Sequence, residues 1–480
     1  MTFFNYFSDK QKNDIHEASL RILEYTGMFV KNSKAVQLFK KHGCLVDGQL
    51  VRFPEKMVVD KIKMAPSVFK FHGRDPKYDL AIPFNRPIIS TASTAPYIVD
   101  QATGEYRRSL SADIANIACL INSLPAYDVF SISVLADDAP PDMRALYRFY
   151  PAIKNCQKPI RSHTSTVAEL KSVLELGYIM AGGKAAYHER PFLHHHYCPI
   201  ISPMVFDTEP TEAMIYLAQE GLPVYGTMAP SAGLSAPMSL LSTLTLGNAQ
   251  FLALTFLLQA VREGTPVIYS AQSTVGDMRN GDYTSGGSES GILQIGHAEM
   301  ARYYGVPSGG YIGLTNSHVN DIQSGYETAM NTTAAILGGT DFLNMGGLLG
   351  GLLAFDFDKA VLDHEIALRL KMFNAGFSIG AGDSGADPLA GLDLKWVDHD
   401  RGPRLQVSDQ PARAENAFEL LRRKYSDKFL TRPALERAHK IAVELLTQPD
   451  SGTMNPEIDN MIRRRISNLP SAEIGLHNAD

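Results

Sequence analysis

Cysteine, clustered charge and targeting signals are all scarce in this sequence. The four cysteines, Cys44, Cys119, Cys156 and Cys198, lie far apart and form no CxxC pair, which excludes zinc-finger spacing and a disulfide framework. We therefore expect four free, buried thiols. The net charge of −6 is small for 480 residues and is not clustered, which argues against nucleic acid as the main partner.

The N-terminus lacks a basic region followed by an apolar one, which predicts a cytoplasmic protein without a secretory signal. One uncharged stretch, 221–261, is long enough in its second half, 238–261, to span a bilayer. Prolines interrupt its first half, and Asn248, Gln250 and Gln259 interrupt its second. A strand, a loop and a helix buried between neighbours explain this stretch better than a membrane span.

What is present suits a large globular core, since 45% of the residues are hydrophobic and 20% are charged. Ser8 and Gln11 form a capping box before a helical apolar pattern that Gly27 ends. Further elements follow before residue 85: a helix over 35–41, a strand over 50–53 and a helix over 54–64. Residues 1–85 are therefore predicted to form an N-terminal α/β layer.

After this layer, short apolar runs alternate with helical stretches. Eight strands are predicted, over 87–90, 129–134, 159–162, 192–197, 223–226, 266–269, 308–312 and 341–345. Eight strand–helix alternations over about 260 residues are typical of a TIM (β/α)8 barrel. A doubly wound sheet would favour GxGxxG after the first strand, and that motif is absent.

We thus predict an α/β fold in three parts. Residues 86–385 form the catalytic TIM barrel, with a hairpin inserted at 97–106. Residues 386–480 form a C-terminal helical extension that covers the barrel and contains amphipathic helices over 412–425 and 432–446. The N-terminal α/β layer, 1–85, completes the chain.

Functional groups of a TIM barrel lie at the C-terminal ends of its strands. Four of the segments that follow predicted strands, 228–237, 272–289, 309–323 and 345–355, are rich in small residues. Together they would form a wide, shallow face that a large flat object could approach closely. Ordinary turn composition explains any one of these segments equally well.

The triplet His194-His195-His196 suggests a metal site at first sight. Neighbouring residues on a strand face opposite sides, so at most two of the three can point the same way, and Cys198 shares their parity. Residues two apart on a strand chelate poorly, so structural or substrate-binding histidines are favoured and no metal site is predicted.

Acidic candidates follow the sixth strand. Glu289 begins a predicted helix, where the helix dipole favours a carboxylate, and Asp277 lies in the preceding loop. A capping role for Glu289 and a solvated loop network for Asp277 are the alternatives. No GxSxG, HExxH or Walker A motif occurs.

Ordered motifs along the chain carry a resemblance to a known family. Examples are Asp14-Ile15-His16-Glu17-Ala18, Met64-Ala65-Pro66-Ser67, Gly287-Ser288-Glu289 and Tyr304-Gly305-Val306-Pro307. From residue 13 to the end of the barrel the chain resembles the trimethylamine methyltransferase superfamily. The resemblance implies an enzyme that moves a methyl group from a methylated amine to the Co(I) corrinoid (cobalamin) of a separate corrinoid protein. That corrinoid would lie face-down on the barrel mouth.

One position departs from the trimethylamine enzymes, which carry pyrrolysine where this chain has Leu314. The departure implies the non-pyrrolysine branch, whose members act on quaternary amines such as glycine betaine. A quaternary nitrogen already has a neutral tertiary amine as its leaving group, so the chemistry needs neither a general acid nor covalent activation. It needs no metal in this chain.

An ammonium without an N–H is best held by aromatic faces, with a carboxylate nearby. The aromatic candidates for substrate binding, at predicted strand ends, are Tyr97, Tyr197, Tyr225, Tyr311 and Phe355. Donors for a carboxylate tail are His163, His196, Asn316 and His318, and the catalytic acidic partners are Glu289 and Asp277. Core packing or rim exposure is the alternative for each aromatic residue.

The leading hypothesis is a cytoplasmic, homo-oligomeric glycine betaine:corrinoid methyltransferase. Alternatives of the same fold act on proline betaine, carnitine, γ-butyrobetaine or a tertiary amine, or use zinc with a thiol or methanol substrate. A further alternative binds an amine or a corrinoid partner without turnover. The sequence leaves open which quaternary amine, corrinoid protein and oligomeric state apply, and which aromatic residues hold the ammonium.

Overall fold

The computed structural model describes residues 3–83, 86–376, 394–397, 404–407, 434–447 and 454–475. At its centre, eight parallel strands form a closed ring, and all eight predicted strands are confirmed. They are β1 (Ile88–Ser90), β2 (Phe130–Ser131), β3 (Ile160–Ser162), β4 (Leu193–Tyr197), β5 (Val224–Met228), β6 (Tyr269–Ala271), β7 (Ser308–Tyr311) and β8 (Phe342–Asn344). Pairing of β8 with β1 and a bridge from Ser90 to Val129 close the ring.

A helix follows each strand, because a parallel neighbour can be reached only by a crossover. These helices are α1 (Ser111–Ser123), α2 (Arg144–Asn155), α3 (Val167–Ala181), α4 (Thr208–Glu220), α5 (Leu240–Val261), α6 (Ser288–Tyr304), α7 (Ile322–Leu337) and α8 (Phe357–Ala375). The alternation is that of a TIM barrel, as predicted.

Helix α5 forms the second half of the uncharged stretch 221–261. Its 22 residues are apolar enough to cross a bilayer, but 89% of its most apolar window is buried inside the fold. Its Asn248 donates to Ser19 Oγ at 2.9 Å, and Gln250 donates to the Pro203 carbonyl at 2.6 Å. Because the protein itself accepts hydrogen bonds from these two amide nitrogens, α5 is a buried core helix, as predicted.

The N-terminal layer packs against α5. It contains helices Asp9–Arg21, Ser33–Lys41 and Glu55–Ile62, the π-helical turn Ile22–Thr26, and strands Met28–Val30, Leu45–Asp47 and Leu50–Arg52. The predicted capping box is confirmed, since Gln11 N donates to Ser8 Oγ at 3.3 Å and Ser8 N donates to Gln11 Oε1 at 2.9 Å. Gly27 ends this segment with a φ of +74°, and a Cβ there would lie 2.4 Å from the Val51 carbonyl.

A hairpin of Phe69–Phe71 and Leu80–Ile82, joined through the 3-10 helix Pro76–Tyr78, covers the N-terminal end of the barrel. Phe71 stacks on the ring of His194 with centroids 4.0 Å apart, and it lies 5.8 Å from Phe342. We call this closed end the floor, and the end where the strands lead into α1–α8 the mouth.

Two small sheets surround the mouth. One joins Ser231–Ala232, Thr274–Gly276 and Tyr283–Thr284 after β5 and β6. The other joins Leu348–Leu349, Ala354–Phe355, Tyr97–Val99 and Tyr106–Arg108 after β8 and β1, and it confirms the predicted hairpin over 97–106. The four small-residue segments therefore share one face, as predicted.

Beyond the barrel, helix Ala434–Thr447 packs on α8 and α1, and helix Pro456–Arg465 packs on α3. The first confirms the helix predicted over 432–446, whereas the one predicted over 412–425 lies outside the described residues. Smaller elements are helix Lys184–Glu189, strands Ile200–Ile201 and Val205–Phe206, and the pair Leu394–Val397 and Arg404–Val407. The domain boundaries at 85 and 385 stay a prediction.

Candidate functional site

A fully buried guanidinium lies inside the barrel. Strand β3 carries Arg161, which donates from one terminal nitrogen to Tyr225 Oη on β5 at 2.8 Å and from the other to Tyr311 Oη on β7 at 3.0 Å. Its central carbon lies 5.6 Å from the centroid of each tyrosine ring and 5.4 Å from that of Phe342. Three strands thus hold one cation with phenol oxygens and aromatic faces.

Strand β4 distributes the histidine triplet between two sides, which confirms the predicted alternation. His194 stacks on the floor, and His195 faces outward with its ring 5.9 Å from Phe149 of α2. His196 faces inward, with Nε2 lying 2.8 Å from Tyr311 Oη. We call Arg161, Tyr225, Tyr311 and His196 the mouth cluster; the Ser93 hydroxyl touches it at 3.1 Å from Tyr311 Oη.

Burial keeps the histidines around this cluster uncharged. It lowers the pKa of His163, His194 and His195 to about 3 each, and Arg148 and Arg161 contribute to the shift at His163. Burial and the same guanidinium groups lower the pKa of His196 well below its usual value. At neutral pH, the positive charge at this site therefore comes from the two arginines.

The chain emerges at the mouth directly after β4. Cys198 is free and exposed there, whereas the other three cysteines are free and buried. The prediction of a buried thiol is therefore wrong for Cys198, because β4 ends one residue earlier. The protein around the thiol still raises the pKa of Cys198 to about 11, against the opposing influence of Arg161, so the group is protonated at neutral pH.

Helix α7 ties two loops of the mouth together. Glu327 Oε2 accepts from Thr315 Oγ1 at 2.6 Å and from Asn316 N at 2.8 Å. Asn316 Oδ1 in turn accepts from the backbone amides of Ser285 and Gly286 at 2.9 and 3.1 Å. A Cβ on Gly286 would lie 2.2 Å from Glu327 Oε2, so glycine is needed for this close approach. The loops after β6 and β7 are thus cross-linked by side chains.

The structure brings three predicted substrate-binding residues together, namely Tyr225, Tyr311 and His196. Asn316 follows Tyr311 by five residues and belongs to the cross-linked loops after β6 and β7. Tyr197 is buried and its Oη lies 3.0 Å from Thr164 Oγ1. Leu314 lies shortly beyond β7 and is 2% exposed.

The other predicted contacts lie in or beside the small sheet after β8 and β1, and we call the exposed edge of the mouth there the rim. The Tyr97 ring packs 4.6 Å from the Arg108 guanidinium and 6.5 Å from the Tyr106 ring. His318 accepts through its carbonyl from Tyr106 Oη at 2.5 Å. Phe355 is fully buried in the small sheet after β8. Their roles in substrate binding stay predictions.

Among the described residues, no hydrogen bond joins the two predicted acidic partners to the mouth cluster. Asp277 accepts from an Arg279 terminal nitrogen at 2.6 Å, and this contact lowers the pKa of its carboxyl to about 2. Glu289 is half-buried in the first turn of α6, with Ser288 Oγ 3.4 Å away.

Sequence reasoning missed the central residue. Arg161 lies within the predicted strand 159–162, and a charged residue in an otherwise apolar barrel strand is the signal that could have identified it. The sequence gives a weaker signal for Arg148 and Glu327, because charged residues on helices usually face solvent. Both are buried here, at 6% exposure each.

Comparisons with known proteins agree with this architecture. The family model for trimethylamine methyltransferase matches residues 1–396. The chain is 32% identical to the glycine betaine methyltransferase of Desulfitobacterium hafniense (strain Y51) over 378 residues, 78% of each chain. It is 28% identical to the proline betaine:corrinoid methyltransferase of Eubacterium limosum over 385 residues, 78% of this chain and 77% of that one.

Among solved structures, the crystal structure of the monomethylamine methyltransferase of Methanosarcina barkeri is similar in fold. It matches with a TM-score of 0.50 and 12% identity, over 76% of this chain and 79% of that chain. This likeness supports the barrel architecture.

Proposed function

Because the chain belongs to the trimethylamine methyltransferase family, we propose that it moves a methyl group from a quaternary amine to the Co(I) corrinoid of a cognate corrinoid protein. Glycine betaine is the first substrate to test. The proposal is supported by Leu314, a buried alkyl side chain at the position where the resemblance places the pyrrolysine of the trimethylamine enzymes. An inert side chain there suits a substrate whose leaving group needs no activation.

The reaction balances without a proton. The Co(I) electron pair forms the new bond to the methyl carbon, and the electron pair of the broken C–N bond stays on nitrogen, which becomes a neutral tertiary amine. The chain then has to hold the substrate, align the C–N bond with the acceptor and exclude water, since charge is neutralised in the step.

The sequence-derived substrate contacts receive unequal support from the geometry. Tyr225, Tyr311 and His196 converge inside the barrel. Tyr311 ends β7, at the end where TIM-barrel enzymes bind substrate, whereas Tyr225 lies near the start of β5 with its ring 5.9 Å from that of Phe71 on the floor. Tyr97, Asn316 and His318 lie along the rim and suit contacts with the outer part of a ligand. The buried Tyr197 and Phe355 fit a supporting role below that surface. Glu289, without a cation partner among the described residues, suits the acidic role better than Asp277.

The rim fits a flat macrocycle presented by a partner protein. Gly350 and Gly351 have φ values of +59° and +62°, which favour glycine, and without side chains the backbone there leaves room for a ligand. Leu234, Met238 and Met278 are 48%, 58% and 61% exposed beside the loops after β5 and β6. Glycine backbone and flexible apolar side chains suit a large apolar face. In this proposal the partner protein carries the corrinoid, and the chemistry requires no cofactor or metal in this chain.

An apolar stripe on α7 supports a homo-oligomer. Ile322, Tyr326 and Met330 lie four residues apart on one face, and they are 87%, 54% and 44% exposed. We place this oligomer in the cytoplasm, without a nucleic acid or membrane partner. Sedimentation velocity on Ile322→Asp would show a smaller species than wild type if the stripe is the interface.

The function is tested anaerobically with the cognate corrinoid protein reduced to Co(I). Glycine betaine, proline betaine, carnitine, γ-butyrobetaine and trimethylamine are added separately while the cobalt absorbance is followed. We expect methylation of the corrinoid, and formation of the demethylated tertiary amine, with at least one quaternary amine. A reduced, competent corrinoid partner that stays unmethylated with every amine would contradict the proposal and favour binding without turnover.

A further inference from the structure

Two fully enclosed guanidinium groups flank the inner end of the mouth, and their polar partners are neutral. Arg161 donates to the two phenol oxygens of Tyr225 and Tyr311. Arg148 of α2 donates to Ser162 Oγ at 2.5 Å and to the His163 carbonyl at 3.4 Å. Across the described parts of the chain, no carboxylate forms an ion pair with either arginine. The folded chain therefore holds two buried positive charges that it does not neutralise by direct contact.

A buried charge without a counter-ion is unfavourable, and removing one member of a buried pair is strongly destabilising for the same reason. An unpaired buried cation therefore suggests a functional role, and the most direct role is binding an anion. A guanidinium has five N–H donors and matches the planar carboxylate with two parallel hydrogen bonds. Arg161 makes two hydrogen bonds to protein groups, and its Nε is buried without a partner.

Further unused donors lie on β3 and β4. The His196 Nδ1 atom is buried without a partner, although its other ring nitrogen contacts Tyr311. His163, directly after β3, is half-buried, and its ring lies 6.0 Å from that of His196. Cys198, two residues after His196 along the chain, is exposed at the mouth. The cation is thus enclosed yet close to an accessible part of the mouth.

We infer that Arg161, assisted by His163 and His196, binds the carboxylate of the substrate and restricts the enzyme to zwitterionic quaternary amines. This inference rests on the proposed function. The carboxylate points inward to Arg161, and the trimethylammonium points outward, where a partner can take its methyl group. An amine without a carboxylate would place its cation near an uncompensated guanidinium, which repels it at low dielectric.

The same geometry redefines the role of two aromatic residues. The faces of Tyr225 and Tyr311 already hold the Arg161 guanidinium, so they position the anion site and leave the ammonium to aromatic groups nearer the rim. Tyr283 is a candidate, because it is half-buried at the mouth and its Oη accepts from Gln272 Nε2 at 2.8 Å.

The test is calorimetric binding to the full-length protein, without a corrinoid. Glycine betaine is compared with choline, which keeps the trimethylammonium but replaces the carboxylate with an alcohol, and with tetramethylammonium. We expect wild type to bind glycine betaine at least about tenfold more tightly than choline, since a carboxylate–guanidinium contact is charge-assisted. Equal affinity for the two ligands in the wild-type protein would overturn the inference without any variant.

Variants sharpen the result. Arg161→Gln should weaken glycine betaine binding by about 100-fold, while tetramethylammonium binding stays the same or tightens, because the repelling charge is gone. Arg161→Lys should recover part of the loss by keeping the charge. The control is Arg190→Gln, which removes a guanidinium that pairs with Asp79 near the floor and should leave the ratio of betaine to choline affinity unchanged. An unchanged ratio in a folded Arg161→Gln protein would contradict the inference.

Methyl transfer separates this inference from the proposed function. If amines with and without a carboxylate are demethylated equally well, the anion site is wrong and the methyltransferase stands. If glycine betaine binds through Arg161 but the reduced corrinoid protein is never methylated, the anion site stands and the proposed function is wrong.

Discussion

The floor and the mouth of this barrel treat buried charge in opposite ways. At the floor, Lys158 donates to the carbonyls of Ile121, Leu124 and Tyr127 at 2.7, 2.8 and 2.7 Å. Asp128 nearby contacts cationic groups of both Arg86 and Lys371 at 2.8 to 2.9 Å. Each floor charge thus has acceptors or counter-ions within the chain.

At the mouth, Arg161 and Arg148 are buried to a similar degree, but each keeps a buried Nε without a hydrogen-bond partner among the described residues. Lys158, in contrast, donates to three carbonyls. This difference distinguishes buried charges that stabilise the fold from buried charges that can bind a ligand. A charge that the chain satisfies holds the barrel together, whereas a charge that it leaves unsatisfied is available to a ligand.

The largest change in stability is expected when the buried charge at the floor is removed. Lys158→Met should lower the free energy of unfolding by about 3 to 5 kcal/mol, because three buried carbonyls lose their donor together. Urea unfolding measures the change. Lys56→Met, at an exposed helical position, is the control and should stay within about 0.5 kcal/mol of wild type. A loss below about 1 kcal/mol for Lys158→Met would show that the floor charge is not structural.

A smaller effect is expected where the mouth is most tightly packed. Gly286→Ala places a methyl group 2.2 Å from Glu327 Oε2, so we expect about 2 kcal/mol less stability and slower methyl transfer. Gly325→Ala is the matched control, because nothing lies within 4 Å of that position on α7. It should be neutral or more stable by up to about 1 kcal/mol. Equal behaviour of the two variants would mean that the cross-link between the loops is unimportant.

The two acidic candidates should differ in methyl transfer. Glu289→Gln is expected to lower kcat/KM for the quaternary amine about tenfold, as a carboxylate near an ammonium is removed. Asp277→Asn should change it less than about threefold, because its carboxylate already pairs with Arg279 on an exposed loop. The reverse order in steady-state assays would assign the acidic role to Asp277.

A buried rim carboxylate offers a test by pH. Burial raises the pKa of Asp356 to about 6, so its stabilising contribution is complete below the unfolded value near 4 and is lost as pH rises through 6. Asp356→Asn should therefore be more stable than wild type at pH 8, by about 1 kcal/mol, and closer to it at pH 4. Denaturant unfolding at both pH values measures this.

The floor carboxylate Asp128 should show the opposite sign. Burial alone would raise its pKa, but Arg86 and Lys371 outweigh burial and the pKa is lowered. Its contribution is therefore present at neutral pH and lost as pH falls. Asp128→Asn should be less stable than wild type at pH 8, and the same sign for both variants would contradict the contrast between the two regions.

The smallest change in stability is expected at the mouth, and it allows a direct comparison with the floor. Arg161→Met removes a buried cation as Lys158→Met does, yet we expect an unfolding free energy within about 1 kcal/mol of wild type, or higher. Replacing an uncompensated charge with an apolar side chain removes a desolvation cost. A loss of more than about 3 kcal/mol would place Arg161 with the structural charges.

The barrel could be predicted from the sequence because its signals are local. Each strand is a short apolar run followed by a helical pattern, as β7 and α7 illustrate, and neighbouring runs pair in chain order. The mouth cluster could not be predicted, because Arg161 meets Tyr225 and Tyr311 across 64 and 150 residues of chain. The predicted tyrosines converge, but only the three-dimensional arrangement shows that a guanidinium occupies their faces.

The choice of arginine in the mouth cluster has a consequence for how the protein responds to acidity. The pKa of His163 is about 3, that of His196 lies well below its usual value, and those of Cys198 and Arg148 are about 11 and about 10. Burial raises the pKa of Tyr225 to about 12. No group in this set changes its charge between about pH 5 and 9. The net charge of these groups inside the mouth therefore stays constant across that pH range.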